Sequence, residues 1–204
     1  MIDLYAAPTS NSMRARMALE ECGLAYTFHP VALDKGENRT PQFLALNPNG
    51  QVPVIVDHEG PGGKPITLSQ SSAILVYCAE KSGKFMPKDA AARAVTWQAV
   101  MNASTDITPT LGSVFAVVRS KEPHAPTAAM FKDRFRQYLK VWDGALAAQK
   151  YAAGNDMTIA DISLYAGWAR AKALLPELCE GLPSLERWAK EMAARPAMQR
   201  ATKF

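Results

Sequence analysis

The sequence predicts an α/β domain followed by an all-helical domain, and three observations lead to this prediction. Short strand-like runs alternate with helical patterns over the first part of the chain. Within that part, a proline stands at the entrance of a strand, in the stretch Asn47–Ile55. In the remainder, apolar residues recur with helical spacing and no alternating strand pattern appears. We therefore expect domains at residues 1–83 and 91–204, joined by a linker at residues 84–90.

The first domain is predicted to open with a strand, a helix and a second strand. Ile2–Ala7 is a short apolar run before a proline, and the cluster Thr9-Ser10-Asn11-Ser12 that follows consists of residue types that cap helix starts. Gly23 supplies the end of the helix, and Tyr26–Leu33 is the next strand candidate. The apolar residues of the helix recur at i, i+3, i+4 and i+7, namely Ala15, Ala18, Leu19 and Cys22.

A second group of elements completes this domain. Pro41–Leu46 suits a short helix, and Val54–Asp57 and Ile66–Leu68 are two strands separated by a glycine-rich turn. Ser69–Ser82 is predicted to be helical and to end at Gly83. A strand-helix-strand start implies a parallel pair with a right-handed crossover, and the final pair of strands adds an antiparallel hairpin.

This order of elements resembles the thioredoxin-like arrangement, in which a proline before the third strand faces the start of the first helix. Val52-Pro53 occupies the place of that proline, so we expect its peptide bond to be cis, although on this stretch alone a trans proline at a strand entrance is the simpler interpretation. Redox members carry two cysteines at the helix start, where this chain has Thr9-Ser10-Asn11-Ser12. The chain thus keeps the scaffold without the dithiol, which suits a ligand that brings its own thiol.

The second domain shows only helical patterns. Pro109 is expected to kink its first long helix, and Thr158–Asp161 forms a capping box in which Asp takes the usual place of Glu. We interpret Asp161 as a folding device and not as a catalytic acid. One apolar and aromatic stripe is more typical of a core than of a cofactor site: Phe131, Phe135, Tyr138, Trp142 and Leu146. A last amphipathic helix carries Leu185, Trp188, Ala189 and Met192.

Bulk composition excludes several classes of function. The net charge of +4 is modest, and basic residues are interspersed with acidic ones, so a nucleic-acid partner is not expected. Cys22, Cys78 and Cys179 are far apart in apolar helical contexts, so we expect buried thiols without a disulfide framework or a metal site. No apolar run approaches the length of a membrane span, and the N-terminus lacks a signal-peptide pattern. We therefore expect a cytoplasmic protein without a membrane partner.

Over nearly its full length the chain resembles the cytosolic glutathione transferases. Four landmarks match in order: the strand-turn-helix start at Tyr5–Leu19, the Asn47–Ile55 turn with its proline, Leu68–Leu75, and Ala153-Gly154 leading to Thr158–Ile162. The resemblance implies the glutathione transferase fold, a homodimer, and glutathione as a co-substrate, without a metal.

The resemblance also implies roles for particular residues in glutathione binding. The backbone of Val52, held by Pro53, should pair with the cysteinyl backbone of glutathione, and Gln70 and Ser71 should hold its γ-glutamyl end. Gln51 occupies a position that is often lysine, near the glycyl carboxylate.

Two classes within the family share features with this chain. The first helix lines up with the Ser-Ser-Cys start of the zeta class, with Thr9 in the place of the first serine and Asn11 in that of the cysteine. The nu-class disulfide reductases instead have Thr and Asn at these places. Asn38 matches a glutathione-contacting Gln of that class, and Arg134 matches an arginine that reaches the partner subunit's site.

The catalytic candidates are therefore Thr9, Ser10 and Asn11. Glutathione reacts as its thiolate, and a donor that bonds the sulfur would lower its pKa by about one to two units. One of these residues is expected to cap the helix, and at least one other to serve the thiolate, which would attack an electrophile or a disulfide. A zeta-like isomerase and a non-catalytic binding module remain the alternative functions.

Overall fold

The computed structural model describes all residues, 1–204, and divides them into two compact units. One unit contains Met1–Phe85 together with Arg195–Phe204, and the other contains Met86–Ala194. The first unit has an α/β fold and the second is all-helical, so the predicted fold class is confirmed. The sequence-based domain limits differ from this division in the last ten residues, which pack with the first unit.

The first unit is built on a four-stranded sheet in the order β2-β1-β3-β4. The strands are β1 (Ile2–Ala6), β2 (Tyr26–Pro30), β3 (Val54–Asp57) and β4 (Ile66–Ser69). As predicted, β1 and β2 are parallel, and β3 and β4 form an antiparallel pair. The structure adds an antiparallel pairing of β1 with β3, which joins the two pairs into one sheet. The nine helices, in chain order, are α1 (Ser10–Cys22), α2 (Pro41–Leu46), α3 (Ser71–Ser82), α4 (Ala90–Met101), α5 (Thr108–Val118), α6 (Ala125–Ala148), α7 (Ile159–Leu174), α8 (Pro183–Ala193) and α9 (Pro196–Ala201).

Helix ends in the first unit follow the local signals in the sequence. Thr9 caps α1 with its side chain, and both Gly23 and Gly83 adopt the left-handed conformation that ends α1 and α3. Strand β2 ends three residues earlier than predicted, because Pro30 has no N–H to continue the ladder and the chain turns into a short 3-10 helix, Leu33–Lys35.

Helix α2 and its neighbours form an apolar cluster with one face of the sheet. Phe43 of α2 packs with Val31 and Val54, and the half-buried side chains of Tyr5 and Val52 complete the cluster. The alternate residues of β1, which point to the other face of the sheet, are fully buried. Packing therefore holds Val52 in place although it lies outside the strands.

Helix α9 was not predicted, because the sequence pattern indicated only that a helix ends before Pro196. Proline is well tolerated in a first helical turn, and here it begins a new helix. Arg195 donates two hydrogen bonds of 2.7 Å to Glu21, and Arg200 bonds Glu20 at 2.7 Å. These pairs attach the end of the chain to α1.

In the second unit, the helical path changes next to Pro109, where the sequence predicts a kink. Residues Asn102–Ile107 form a π-helical turn between α4 and α5, just before this proline. Pro109 cannot donate a backbone hydrogen bond, so the regular helix ladder is interrupted at this point. The hydroxyls of Ser104 and Thr105 donate to the carbonyls of Val100 and Met101.

The remaining core of the second unit agrees with the sequence pattern. Phe135, Trp142 and Leu146 of α6 are buried, as are all three cysteines of the chain, whereas Phe131 and Tyr138 of the predicted stripe are only half-buried. Thr158 and Asp161 form the predicted capping box at the start of α7. The carboxylate of Asp161 is completely buried and also accepts from the indole N–H of Trp188 at 2.9 Å.

A buried carboxylate joins β3 to α3 in the first unit. The side chain of Asp57 is 0% exposed and lies 2.6 Å from the ammonium of Lys81 and 2.6 Å from the hydroxyl of Tyr77. Burial alone would raise the pKa of Asp57, but donation by Lys81 and then by Tyr77 outweighs it and the pKa lies below its ordinary value. This contribution to stability is therefore present above the ordinary pKa of Asp and is lost as the pH falls through the folded-state pKa.

We expect Lys81→Met to destabilise the protein by about 2 kcal/mol, because it leaves a buried carboxylate with fewer donors. Urea unfolding at neutral pH measures this loss, and the difference from the unsubstituted protein should shrink in acid. Lys172→Met is the matched control, since Lys172 pairs with Glu186 at the surface and such pairs contribute at most about 1 kcal/mol. Equal losses in the two variants would contradict the role given to Lys81.

Candidate active site

The register of the sheet brings three separate segments to one edge. Tyr5 of β1 pairs with Val54 of β3, and Val54 pairs with Ser69 of β4. The chain that leaves β1, the chain that enters β3 and the chain that leaves β4 therefore meet at the same edge. These segments contain the predicted residues Thr9, Ser10, Asn11, Val52, Pro53, Gln70 and Ser71.

The hydroxyl of Thr9 is engaged in the cap of α1. It accepts from the backbone N–H of Ser12 at 3.1 Å and donates to the hydroxyl of Ser12 at 3.1 Å. Ser12 in turn accepts from the backbone N–H of Ala7 at 3.3 Å. Ser10 takes no part in this cap and is half-buried, so its hydroxyl proton remains available.

Asn11 and Ser71 meet at a buried arginine. Nη1 of Arg14 donates to Oδ1 of Asn11 at 2.9 Å and to Oγ of Ser71 at 2.7 Å. The hydroxyl of Ser71 also lies 3.4 Å from Oδ1 of Asn11. The start of α1 and the start of α3 are thus joined by a shared cation.

The sequence analysis did not identify Arg14 as a site residue. The residue is 1% exposed, and burial lowers its pKa to about 10, so the guanidinium stays charged at neutral pH. The spacing of the sequence does contain a signal for this burial. Arg14 stands three residues after Asn11 and four before Ala18, so it lies on the same, buried face of the helix.

Val52 presents an unpaired backbone before β3. The Val52–Pro53 peptide bond is cis, and β3 begins one residue later, at Val54. Neither the N–H nor the C=O of Val52 has a hydrogen-bond partner within the protein. Both groups are free to pair with an extended ligand.

The loop before Val52 is fixed by two asparagine side chains. The buried Asn47 donates to the carbonyl of Gln51 at 2.7 Å, and Asn38 donates to the carbonyl of Gly50 at 2.7 Å. Gly50 has a φ of 62°, and a Cβ there would lie 2.9 Å from the backbone oxygen of Asn38, so only glycine suits this position. The side chain of Gln51 is exposed beside this loop.

Gln70 has a strained backbone between β4 and α3. Its φ is 70° and its ψ is 107°, which is unusual for a residue with a side chain. Strain of this kind is typical of ligand-binding positions. Its side chain is exposed, and the N-terminus of the twelve-residue α3 follows directly, where free N–H groups favour an anion.

Arg134, the last of the predicted site residues, belongs to the second unit. It is exposed on α6 and makes no ion pair within the chain. Met130, one turn earlier, and Val141, two turns later, lie on the same helix face and are 49% and 67% exposed. This face of α6 combines an available cation with exposed apolar side chains.

Tyr5 is not arranged as an activated group. Burial raises the pKa of its hydroxyl, and its ring stacks on His29 with 4.7 Å between the ring centroids. The carboxylate of Asp3 accepts hydrogen bonds from both His29 and His58, at 2.9 and 2.7 Å, so two of the three histidines of the chain share one partner. His29 lies on the strand beside Asp3, which sequence spacing does not reveal.

The structure contains neither a cluster of potential metal ligands nor a helix suited to span a membrane. No group of three or more histidine, cysteine, aspartate or glutamate side chains is placed to hold a metal ion. None of the helices combines the length and the apolar character needed to cross a bilayer.

Comparison with known proteins identifies relatives over the whole chain. The family models described as glutathione S-transferase, N-terminal domain and C-terminal domain match residues 9–81 and 96–196. The disulfide-bond oxidoreductase YfcG of Escherichia coli K12 is 32% identical over 206 residues, covering 98% of this chain and 94% of the relative.

Solved structures of glutathione transferases are also similar to this chain over nearly its full length. A glutathione transferase family member from Pseudomonas fluorescens, with two glutathione molecules bound, has a TM-score of 0.91 and 32% identity and covers 99% of this chain and 92% of its own. A glutathione transferase from Pseudomonas putida, with one glutathione disulfide bound per subunit, has a TM-score of 0.91 and 31% identity. The match covers 100% of this chain and 91% of that structure.

Proposed function

The chain belongs to the glutathione S-transferase family, and we propose that it uses glutathione as a thiolate to reduce disulfides, with attack on electrophilic carbon as a secondary activity. The observation that carries this proposal is the start of α1, where hydrogen-bond donors stand in place of a thiol. All three cysteines of the chain are buried elsewhere, so the reacting sulfur must come with the ligand. The similarity to a disulfide-bond oxidoreductase favours a disulfide as the second substrate.

Stabilisation of the glutathione thiolate is the central chemical task. A free thiol has a pKa near 8.5 and is mostly protonated at neutral pH. A hydrogen bond to a charged group contributes roughly 1.5–3 kcal/mol, which lowers the pKa by about one to two units. Three groups can together lower the pKa in this way: the side-chain NH₂ of Asn11, the hydroxyl of Ser10 and the N-terminus of α1. Thr9 stays a candidate, although its proton is used in the helix cap.

The reaction proceeds by two thiol–disulfide exchanges. The glutathione thiolate attacks one sulfur of the disulfide, forms a mixed disulfide and releases the other sulfur as a thiolate, which takes up a proton. A second glutathione thiolate attacks the glutathione sulfur of the mixed disulfide. The products are glutathione disulfide and the second substrate thiol, so two glutathione molecules supply both electrons.

The other site residues have binding roles in this proposal. Val52 pairs its free backbone groups with the cysteinyl backbone of glutathione. Gln70, Ser71 and the start of α3 hold the γ-glutamyl carboxylate. Asn38 and Gln51 lie at the glycyl end. Because Gln51 is neutral, affinity for the glycyl carboxylate depends on hydrogen bonds and not on an ion pair.

We further propose a homodimer in which Arg134 of one subunit serves the site of the other. Exposed apolar side chains on α4 and α6 support this: Val95, Met101, Met130 and Val141. A groove of about 560 Å³ between the two helices includes three of these residues. A cytoplasmic location accords with the three unpaired cysteines and with the reducing conditions that keep glutathione available.

Val141→Glu is expected to convert the dimer to a monomer, because a buried, unpaired charge costs more than the contacts of one side chain provide. Light scattering coupled to gel filtration measures the mass. Ala147→Glu, on an exposed position of the same helix, is the control and should leave the dimer intact. Retention of the dimer by Val141→Glu would contradict this interface.

The proposed activity can be tested directly. Binding of glutathione by calorimetry, followed by turnover of hydroxyethyl disulfide and of 1-chloro-2,4-dinitrobenzene, should show binding and faster reduction of the disulfide. Binding without turnover of either compound would favour the non-catalytic binding module. Absence of glutathione binding would refute the proposed function.

A further inference from the structure

The buried cluster of Asn11, Arg14 and Ser71 bears on the orientation of the Asn11 side-chain amide as well as on the identity of the thiolate donor. An amide side chain has one acceptor end and one donor end, and its function depends on which end faces the ligand. In this cluster, the geometry determines the orientation.

A guanidinium carries only donors and cannot accept a hydrogen bond. The atom of Asn11 that lies 2.9 Å from Nη1 of Arg14 must therefore be the amide oxygen. The opposite orientation would place the NH₂ group of Asn11 against a buried cation. The contact with Arg14 therefore fixes which end of the Asn11 amide is the oxygen, because the guanidinium can only donate.

This orientation leaves the NH₂ group of Asn11 facing away from Arg14. The group makes no hydrogen bond within the protein, and Asn11 is half-buried at the first turn of α1. The hydroxyl of Ser71 accepts a hydrogen bond from the same Nη1 and donates to the amide oxygen at 3.4 Å, so the oxygen is held from two sides. A donor that is fixed in this way loses little conformational freedom when a ligand binds.

We infer that Arg14 is a positioning residue that holds the oxygen of Asn11 so that its NH₂ group is presented to the sulfur of bound glutathione. The inference rests on the proposed function. Hydrogen bonding of the amide oxygen to a cation also polarises the amide and strengthens donation from its nitrogen. Arg14 therefore acts on the thiolate through Asn11.

A double-mutant cycle tests this coupling. The unsubstituted protein is first tested for glutathione binding, because absence of binding refutes the proposed function and not this inference. The pKa of the bound thiol is then measured from the ultraviolet absorbance of the thiolate as a function of pH. The proteins compared are the unsubstituted chain, Asn11→Ala, Arg14→Met and the double variant.

We expect Asn11→Ala and Arg14→Met each to raise the pKa of the bound thiol by about one to two units. The double variant should raise it no more than the larger single effect, because both changes remove the same donor. Arg14→Lys should retain part of the lowered pKa, since an ammonium can also hold the oxygen. An unchanged pKa in Arg14→Met, or additive effects in the double variant, would overturn the inference.

Two further variants control for folding and charge. Arg16→Met removes a cation from the same helix, where Arg16 bonds Tyr26, and should leave the pKa of the bound thiol unchanged. Asn11→Asp retains an acceptor for Arg14, so it should fold even if Arg14→Met does not. It offers no donor and adds a negative charge, so it should raise the pKa above that of Asn11→Ala. An Asn11→Asp variant with an unshifted pKa would also overturn the inference.

Discussion

Replacing Asn11 with alanine is expected to lower kcat/KM for disulfide reduction by about tenfold to a hundredfold at neutral pH. The loss follows from about 1.5–3 kcal/mol of donation to a charged sulfur, at 1.36 kcal/mol per tenfold change in rate. Because the thiolate would be scarcer, the pH–rate profile should shift to higher pH and activity should recover in part in alkaline buffer. Steady-state rates across pH, with glutathione saturating, measure this effect.

Thr9→Ala provides a comparison in the same turn. Its main expected effect is loss of the α1 cap, which costs about 1 kcal/mol of folding free energy. Its pH–rate profile should move less than that of Asn11→Ala, because the hydroxyl proton of Thr9 is donated to Ser12. A larger shift in Thr9→Ala than in Asn11→Ala would transfer the donor role to Thr9.

Asp161→Ala is expected to destabilise the protein by about 3–5 kcal/mol. The carboxylate accepts from the backbone N–H of Ala152 at 2.8 Å, from that of Thr158 at 2.9 Å and from the indole of Trp188 at 2.9 Å. Each donor that is left buried without a partner costs about 1–3 kcal/mol, with incomplete additivity within the network. Denaturant unfolding monitored by tryptophan fluorescence measures the loss.

Asp156→Ala is the matched control for this prediction, because Asp156 is an exposed carboxylate in the same loop. Its effect should stay within about 0.5 kcal/mol. Asp161→Asn should be intermediate, since an amide keeps one accepting oxygen for the buried donors. A loss in Asp161→Ala no larger than that in Asp156→Ala would show that the network contributes little.

Much of the fold could be predicted from local signals. Gly23, Gly83, Thr9 and the Thr158–Asp161 box mark helix ends through backbone conformation and capping, which depend on a few neighbouring residues. The parallel direction of β1 and β2 and the antiparallel pair of β3 and β4 followed from their spacing and from the helix between the first two strands. Helix α9 could not be predicted, because its attachment to α1 joins residues that are 174 and 180 positions apart. Pro109 marked an interruption of the helix, but the sequence did not show that it takes the form of a π-helical turn.

The sequence indicated which segments meet at the candidate site but not which side chains contact one another. A helix-start cluster and a proline indicated Thr9–Asn11 and Val52 from the sequence. The link from Arg14 to Ser71 spans 57 positions of the chain, and no periodicity reports such a contact. The same limit applies to Asp3 with His58, which are 55 positions apart. Contacts between side chains of different helices and strands can be identified only when the relative placement of these elements is known.

The most direct test is a crystal structure of this protein with glutathione bound. We predict that the backbone of Val52 pairs with the cysteinyl residue and that the nitrogen of the Asn11 side chain lies within hydrogen-bond distance of the sulfur, about 3.5 Å. Glutathione bound at another place, or a sulfur whose nearest donors exclude Asn11 and Ser10, would contradict the account.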